Sequence, residues 1–520
     1  MMRHSIFGLL LVGILITHPL TSVNSITATD NCVYSSLWGK NGERWQPTGR
    51  LPDFSYAGYH AGEASLPRDK TKWNLKSDFH AKGDGKSDDT EALISAINAV
   101  GDGVLFIPEG TYIVSKRIDI TKGNFVIRGA GSEKTILLFP NSLQDLFGNK
   151  AKGSEQSQWA FRPGLINVTG KDPIDNTTKL ANVTTEAKRG DTTLHLSNPV
   201  SLKRNEWIRI VESDPPKSES DTGSLIKHLY GDLMASGEDL LGTQNVVRFL
   251  SRIKKASGKT IELERPLPYD IHLNWKPEIH RFAPTLKEFG FEHLSIRFPW
   301  SPYPGHFRER GYNALFVQSA SQCWVDDLAI ENSDFGIDFN STNFCTISNV
   351  RLSVSKPRAA SNEARGANGH HGIDIGHGTE NLVTNFDVQT KFVHDISVEW
   401  YTLHAVFSNG RGVDLNMDHH REANYSSLFT NLDCGLCTRS FDSGGAGNRG
   451  AHAGAYTTYW NVFGRGVLTL PARDFGPLLN FVGLSLKGDN SDSPFEWFVQ
   501  SGSVCPLDLN AAMLRRRRSQ

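Results

Sequence analysis

Eight of the chain's 18 histidines fall between His370 and His452. They are His370, His371, His377, His394, His404, His419, His420 and His452. An imidazole titrates near neutrality, so a cluster of them suits proton transfer. Arg411, Arg421, Arg439 and Arg449 share the stretch, with no Lys between Lys391 and His452. A guanidinium grips a carboxylate with two parallel donors, which an ammonium cannot do. Proton transfer beside a bound carboxylate is the chemistry an acidic sugar requires.

Strand alternation sorts these candidates. Over 413–418, Val413, Leu415 and Met417 are expected to point inward and Asp414, Asn416 and Asp418 outward. His419, His420 and Arg421 follow at the strand end, where a turn can present them to a groove. Asp374 is expected outward between Ile373 and Ile375, just after His370 and His371. His394 shares parity with Ile396, Val398 and Trp400, which assigns it a structural role, and His377 and His404 are read the same way. Arg439 and His452 flank a Gly-rich loop (Gly444, Gly445, Gly447, Gly450, Gly454), with Tyr456 just after it.

His371, His419 and His420 are therefore the candidate bases. Arg421 and Arg439 are the candidate binders of a carboxylate. Asp374, Asp414, Asp418, His452 and Tyr456 complete the substrate contacts, Tyr456 doubling as a candidate acid. Asp414 and Asp418 offer oxygen ligands to a Ca²⁺, although no loop spacing specifies a metal. No other cofactor is indicated.

What must position these residues is a repeat. Cys323-Trp324-Val325-Asp326-Asp327-Leu328-Ala329-Ile330 aligns with Cys345-Thr346-Ile347-Ser348-Asn349-Val350-Arg351-Leu352 at an offset of 22. Gly336-Ile337-Asp338-Phe339 returns as Gly372-Ile373-Asp374-Ile375, one period plus an insertion. Val383-Thr384-Asn385-Phe386 returns two periods on as Phe429-Thr430-Asn431-Leu432. Short strands repeating at this length predict a parallel β-helix, whose coils bury their apolar edges only by stacking. The register places Cys323 above Cys345, and stacked parallel residues are poorly oriented for a disulfide, so two thiols are expected. Leu93, Ile94, Ile97 and Val100 recur at helical spacing after Asp88 and Asp89, predicting a helix that caps the first coil.

The expected organisation is a signal peptide at 1–25, an aromatic-rich segment at 26–75 and the start of the β-helix at 76–189. A small β insertion at 190–265, the main β-helix at 266–510 and a solvated basic tail at 511–520 follow. The leader rests on Arg3 and His4 before the apolar run Ile6–Ile16, too short to span a bilayer. No later run is long enough either. Secretion is expected, as is glycosylation at Asn167, Asn176, Asn182, Asn340 and Asn424 if these face solvent. Cys434 and Cys437 are expected to close a small disulfide loop. The net charge of −1 argues against nucleic acid. A monomer with neither a membrane nor a nucleic-acid partner is expected.

The stretch from Ser77-Asp78-Phe79-His80-Ala81-Lys82-Gly83-Asp84-Gly85 to Asp88-Asp89-Thr90, then Phe106-Ile107-Pro108-Glu109-Gly110-Thr111-Tyr112 and Ile127-Arg128-Gly129-Ala130-Gly131, resembles the opening of the pectate-lyase superfamily. The resemblance implies an all-β, right-handed, single-stranded parallel β-helix. That opening is shared by polysaccharide lyases, β-helical glycoside hydrolases and tailspikes, so it implies a fold and not a reaction. Gly376-His377-Gly378 is similar to a polygalacturonase tripeptide, without that family's paired Asp. With the Arg and His set, the expectation is a secreted polysaccharide lyase acting on a uronic-acid polymer by β-elimination. The alternatives are hydrolysis by Asp374 with Asp414, C5 epimerisation, and a non-catalytic glycan-binding β-helix.

Overall fold

The computed structural model describes residues 32–149, 156–215, 224–230, 245–360, 365–487 and 495–520. The expected signal peptide lies outside the described residues. Among the described residues, no helix is long and apolar enough to cross a membrane.

The chain winds as a parallel β-helix. Among the described residues, seventeen strands join one parallel hydrogen-bonded network, and seven more form a second sheet in which every neighbour is also parallel. The second sheet carries the polar cluster described below. In chain order its strands are β1 (Ile118–Ile120), β2 (Ile166–Thr169), β3 (Asn313–Gln318), β4 (Phe335–Asn340), β5 (His371–Gly376), β6 (His394–Glu399) and β7 (Met417–His419). The repeat seen in the sequence is the register. Trp324 pairs with Thr346, and Ile337 with Ile373. Val383 is followed by Phe407 and then Phe429 on successive coils.

Stacking keeps like side chains together. Leu315, Ile337, Ile373, Ile396 and Met417 form one inward column, all buried. Phe407, Phe429, Tyr459 and Phe481 form another, with ring centroids 5.2, 5.3 and 5.1 Å apart. Such columns exist because each coil presents the same face to the next at the inter-strand spacing, about 4.8 Å. Bends within and between strands use the left-handed region, which Asn tolerates better than most residues. Asn349, Asn385, Asn409, Asn431 and Asn461 all sit there, at φ 53–54°.

The helix Thr90–Ala99 packs Leu93, Ala96 and Ile97 onto the first coil's core. Asp88 Oδ1 accepts from Thr90 N at 3.0 Å, whereas Asp89 turns to the amides of Lys82 and Gly83. A six-stranded antiparallel sheet runs from Lys179–Asn182 to Glu278–Arg281, reaching beyond 190–265 on both sides. Cys323 and Cys345 are buried free thiols, and Cys434 is bonded to Cys437.

Two expectations fail. The basic tail is a docked helix, Leu509–Arg518, with Asp508 capping Ala511 N. Leu509, Ala512 and Met513 are buried, and Arg517 pairs with Glu63, donates to Ser55 O and lies over the Tyr56 ring. The acidic and aromatic partners it needs lie in the N-terminal segment, more than 450 residues away in sequence. The glycosylation sites also divide. Asn176 and Asn182 are exposed and Asn167 is half-buried, but Asn340 and Asn424 are buried. Asn424 is held by His419 and by the carbonyls of Arg421 and His452.

Phe429 sits in the middle of the aromatic column. Phe429→Ala should cost about 3–5 kcal/mol, read as a lower urea midpoint at unchanged slope.

Candidate functional site

The outward face of the seven-stranded sheet carries a polar row that the register stacks. Asp338 on β4 pairs with Asp374 on β5, then Ser397 on β6 and Asp418 on β7. Beside it, Asn340, Gly376 and Glu399 form a second row, and Phe335, His371 and His394 a third. The third row interrupts the alternation. The ladder has no pair at Gly372 or Asp395, and a Cβ on Gly372 would meet the core residue Leu352. His371 and His394 therefore face out although Ile373 and Ile396, two residues on, face in. This corrects the structural role expected for His394.

A loop ahead of β2 hangs over this face. Asn313 pins it, donating to the carbonyls of Trp159, Phe161 and Pro163 at 3.0, 2.9 and 3.2 Å. The loop delivers Arg162, which nothing in the sequence singled out. Its guanidinium bonds Asp338 and reaches Glu399 Oε1 at 2.9 Å and Asp374 Oδ2 at 3.9 Å. Three carboxyl groups, each under a tenth exposed, thus share one cation.

That imbalance splits their proton affinities. Burial raises Asp338, Arg162 pulls it back and Glu399 adds to the rise, leaving it at about 6. Burial raises Asp374 further, with Glu399 and Asp338 adding to the rise, so it sits well above the usual carboxylate range. Buried oxygens of both, Asp338 Oδ1 and Asp374 Oδ1, have no hydrogen-bond partner.

Next to the carboxyls lie the imidazoles. His371 stacks on Phe335 at 4.7 Å and lies 4.6 Å from His394. His370 is 4.3 Å from His371, and His420 4.9 Å from His394, between ring centroids. His306, from the 301–310 loop, lies 4.6 Å from His370. Burial holds His370 and His371 well below neutrality, with His394 and His370 respectively the next cause. Burial takes His306 down to about 4. Asp418 behaves oppositely. Burial would raise it, but His394 and His420 overcome that and hold it well below the usual range. It accepts from Gly444 N at 2.6 Å and His420 Nδ1 at 2.9 Å, and that partnership raises His420 against its own burial. Behind His370, burial lifts Glu309 to about 8.

Of the residues singled out from sequence, the fold brings His370, His371, Asp374, His394, Asp418 and His420 onto this face. It places the others elsewhere. His419 pairs with Val398, so it ends an inward column, bonded to Asn424 Oδ1 and Tyr459. Arg421 turns to Gly450 O and His452, and Arg439 to Asp395 and Asp414 O. Asp414 is not on a strand with Asp418. The chain turns a corner there, Val413 is exposed, and Asp414 is tied to Thr438 and Lys391. The Asp414–Asp418 pairing for Ca²⁺ and the Asp374–Asp414 pairing for hydrolysis therefore lose their basis, because the Asp414 oxygens already serve the corner. Tyr456 stacks beneath Arg189 and packs with Tyr425 against the insertion. His377 packs on Trp400, and His404 is bonded to Glu380.

Arg421, Arg439 and His452 instead line a neighbouring cavity of about 840 Å³, with Asp442, Ser443 and Asp474. Ser443 accepts from the His419 amide, which joins the cavity to the end of β7.

Arg162 offers a direct check on this electrostatic account. Without it the three carboxyls repel most where they are ionised. Above pH 6 Asp338 is charged in the fold, and below it the group is neutral. Arg162→Gln should therefore cost about 1–3 kcal/mol more at pH 8 than at pH 5 in denaturant titrations.

Comparison with known proteins bears on the first coils. Residues 73–244 match the family model for rhamnogalacturonase A/epimerase, pectate lyase-like. A 118-residue stretch is 43% identical to alginate lyase 7 of Azotobacter vinelandii, covering 20% of this chain and 13% of that protein. Mannuronan C5-epimerase AlgE5 of the same organism is 36% identical over 117 residues, covering 20% of this chain and 11% of that one. The chain thus spans only 11–13% of the length of these relatives. The tailspike gp49 from Pseudomonas phage LKA1 aligns with a TM-score of 0.43 at 13% identity, over 83% of this chain and 77% of that one. The chain is a parallel β-helix whose 73–244 stretch is pectate lyase-like, and of the polar cluster only Arg162 falls inside that match.

Proposed function

We propose that the protein is a secreted enzyme that hydrolyses an acidic polysaccharide, using the carboxyl groups gathered around Arg162. The observation that carries this reading is Asp338 stacked on Asp374 with their proton affinities driven apart. Glycoside hydrolysis needs one protonated and one ionised carboxyl across the scissile bond. Neighbouring coils separate stacked residues by about 4.8 Å, near the roughly 5–5.5 Å of retaining enzymes.

In this reading Asp374 gives its proton to the leaving oxygen. Asp338, kept ionised by Arg162, attacks the anomeric carbon and forms a glycosyl-enzyme ester. Water then releases the sugar, with Asp374 taking back a proton. Burial, with Glu399 and Asp338 beside it, keeps Asp374 protonated, and Glu399 shares Arg162. The Arg421 and Arg439 wall of the neighbouring cavity suits the acidic chain beyond the cleavage point. The names of the partial relatives, an alginate lyase and mannuronan epimerases, support an acidic polymer.

Elimination is the second reading, and a specific observation favours it. His371 and His420 stand on the same face as Arg162, which gives a base for C5 and a binder for the uronate carboxylate.

One experiment separates the two. The protein is incubated with alginate, pectate, glucuronan and ulvan, and both reducing ends and unsaturated-uronate absorbance are followed. New reducing ends without absorbance, lowered about 10²–10⁴-fold in Asp374→Asn and in Asp338→Asn, are expected. A rise in absorbance would replace hydrolysis by elimination. The rate should fall as pH drops through about 6, where Asp338 takes up its proton, and fall again at the higher pH where Asp374 loses its own.

A further inference from the structure

We propose that His306, His370 and His394 form a binding site for one divalent transition-metal ion of the zinc class, with Asp418 behind His394. The three rings come from separate coils and loops, yet one nitrogen of each lies within 4.8 Å of the others. Their centroids are 4.6, 5.6 and 6.0 Å apart.

A hydrogen bond settles which nitrogen of His370 is available. His370 Nδ1 lies 2.8 Å from the Ala160 carbonyl, which can only accept. Nδ1 therefore carries the proton and Nε2 the lone pair. That Nε2 is buried and has no partner. At His394 both ring nitrogens are buried without a hydrogen-bond partner, and Nδ1 lies 3.2 Å from Asp418 Oδ2. A ligand imidazole backed by a carbonyl or carboxylate on its far nitrogen is how proteins orient rings toward a metal. His306 is set by its stack on Phe307 at 3.8 Å, in a turn where Gly305 and Phe307 both take positive φ. Leaving buried nitrogens unpaired costs about 1–3 kcal/mol each, and one shared cation satisfies them together.

The donor set selects the metal. Neutral imidazoles suit zinc, cobalt, nickel or copper, whereas calcium and magnesium want oxygen. Three imidazoles leave one position of a four-coordinate ion open. This site does not depend on the hydrolysis reading, and its test reads metal, not cleavage.

The full chain, stripped with chelator, is titrated with ZnCl₂ and separately with CoCl₂. One equivalent of each is expected, Co²⁺ giving the visible bands of a four- or five-coordinate nitrogen site. His306→Ala, in the half-buried covering loop, and His394→Ala should each weaken Zn²⁺ by about tenfold or more. His195→Ala, at an exposed strand position, is the control and should bind as the unaltered chain does. A thermal melt of each variant without metal establishes that it is folded. No stoichiometric uptake, or uptake that folded His306→Ala retains in full, would overturn the site.

Discussion

The polar face exists because the backbone hydrogen bonds of the parallel ladder hold each coil in register on the last. Alternation along a strand decides which residues leave the core, and the register decides what they land on. Asp338, Asp374, Ser397 and Asp418 share a row for the same reason that Ile337, Ile373, Ile396 and Met417 do. A slip of one residue in any coil would exchange the two sets and put carboxyls into the apolar interior. The strand-borne carboxyls of the site are therefore positioned by the same bonds as the core.

Much of this was legible before the fold was known. The 22-residue offset is the observed pairing of Trp324 with Thr346, and the Gly-Ile-Asp repeat is the pairing of Ile337 with Ile373. That repeat already contained Asp338 over Asp374, but only Asp374 was read as a site residue, because Asp338 stood outside the histidine-rich stretch. His371 and His420 were found by clustering and Asp374 by parity. His394 and His419 were misassigned for opposite local reasons. The ladder skips Asp395, which turns His394 out, and β7 continues in register through His419, which turns it in. Arg162 and His306 carried no signal at all. Each arrives on a loop from a distant part of the chain, and neither periodicity nor composition reports where a loop lands.

Charge is distributed unevenly across the face. The carboxyl end has one cation for three acids, so it retains protons that exposed carboxyls would lose. The imidazole end has Asp418 among several rings, so that carboxyl stays ionised. Asp374 and Asp418, in one row of the same face, are thus shifted in opposite directions although both are aspartates. Burial raises both; at Asp374 the neighbouring carboxyls add to it, and at Asp418 the imidazoles of His394 and His420 overturn it. In the neighbouring cavity Arg421 and Arg439 are already braced by protein groups, which fixes their direction before any ligand arrives.

The separation of Arg162 from its partners has a consequence for biosynthesis. It lies 176 residues before Asp338 and 237 before Glu399. At about 5–20 residues per second, a ribosome releases Arg162 roughly 10–50 s before the carboxyls that neutralise it. The carboxyl cluster around Arg162 therefore closes late, when the coils that carry Asp338 and Glu399 stack onto the earlier ones.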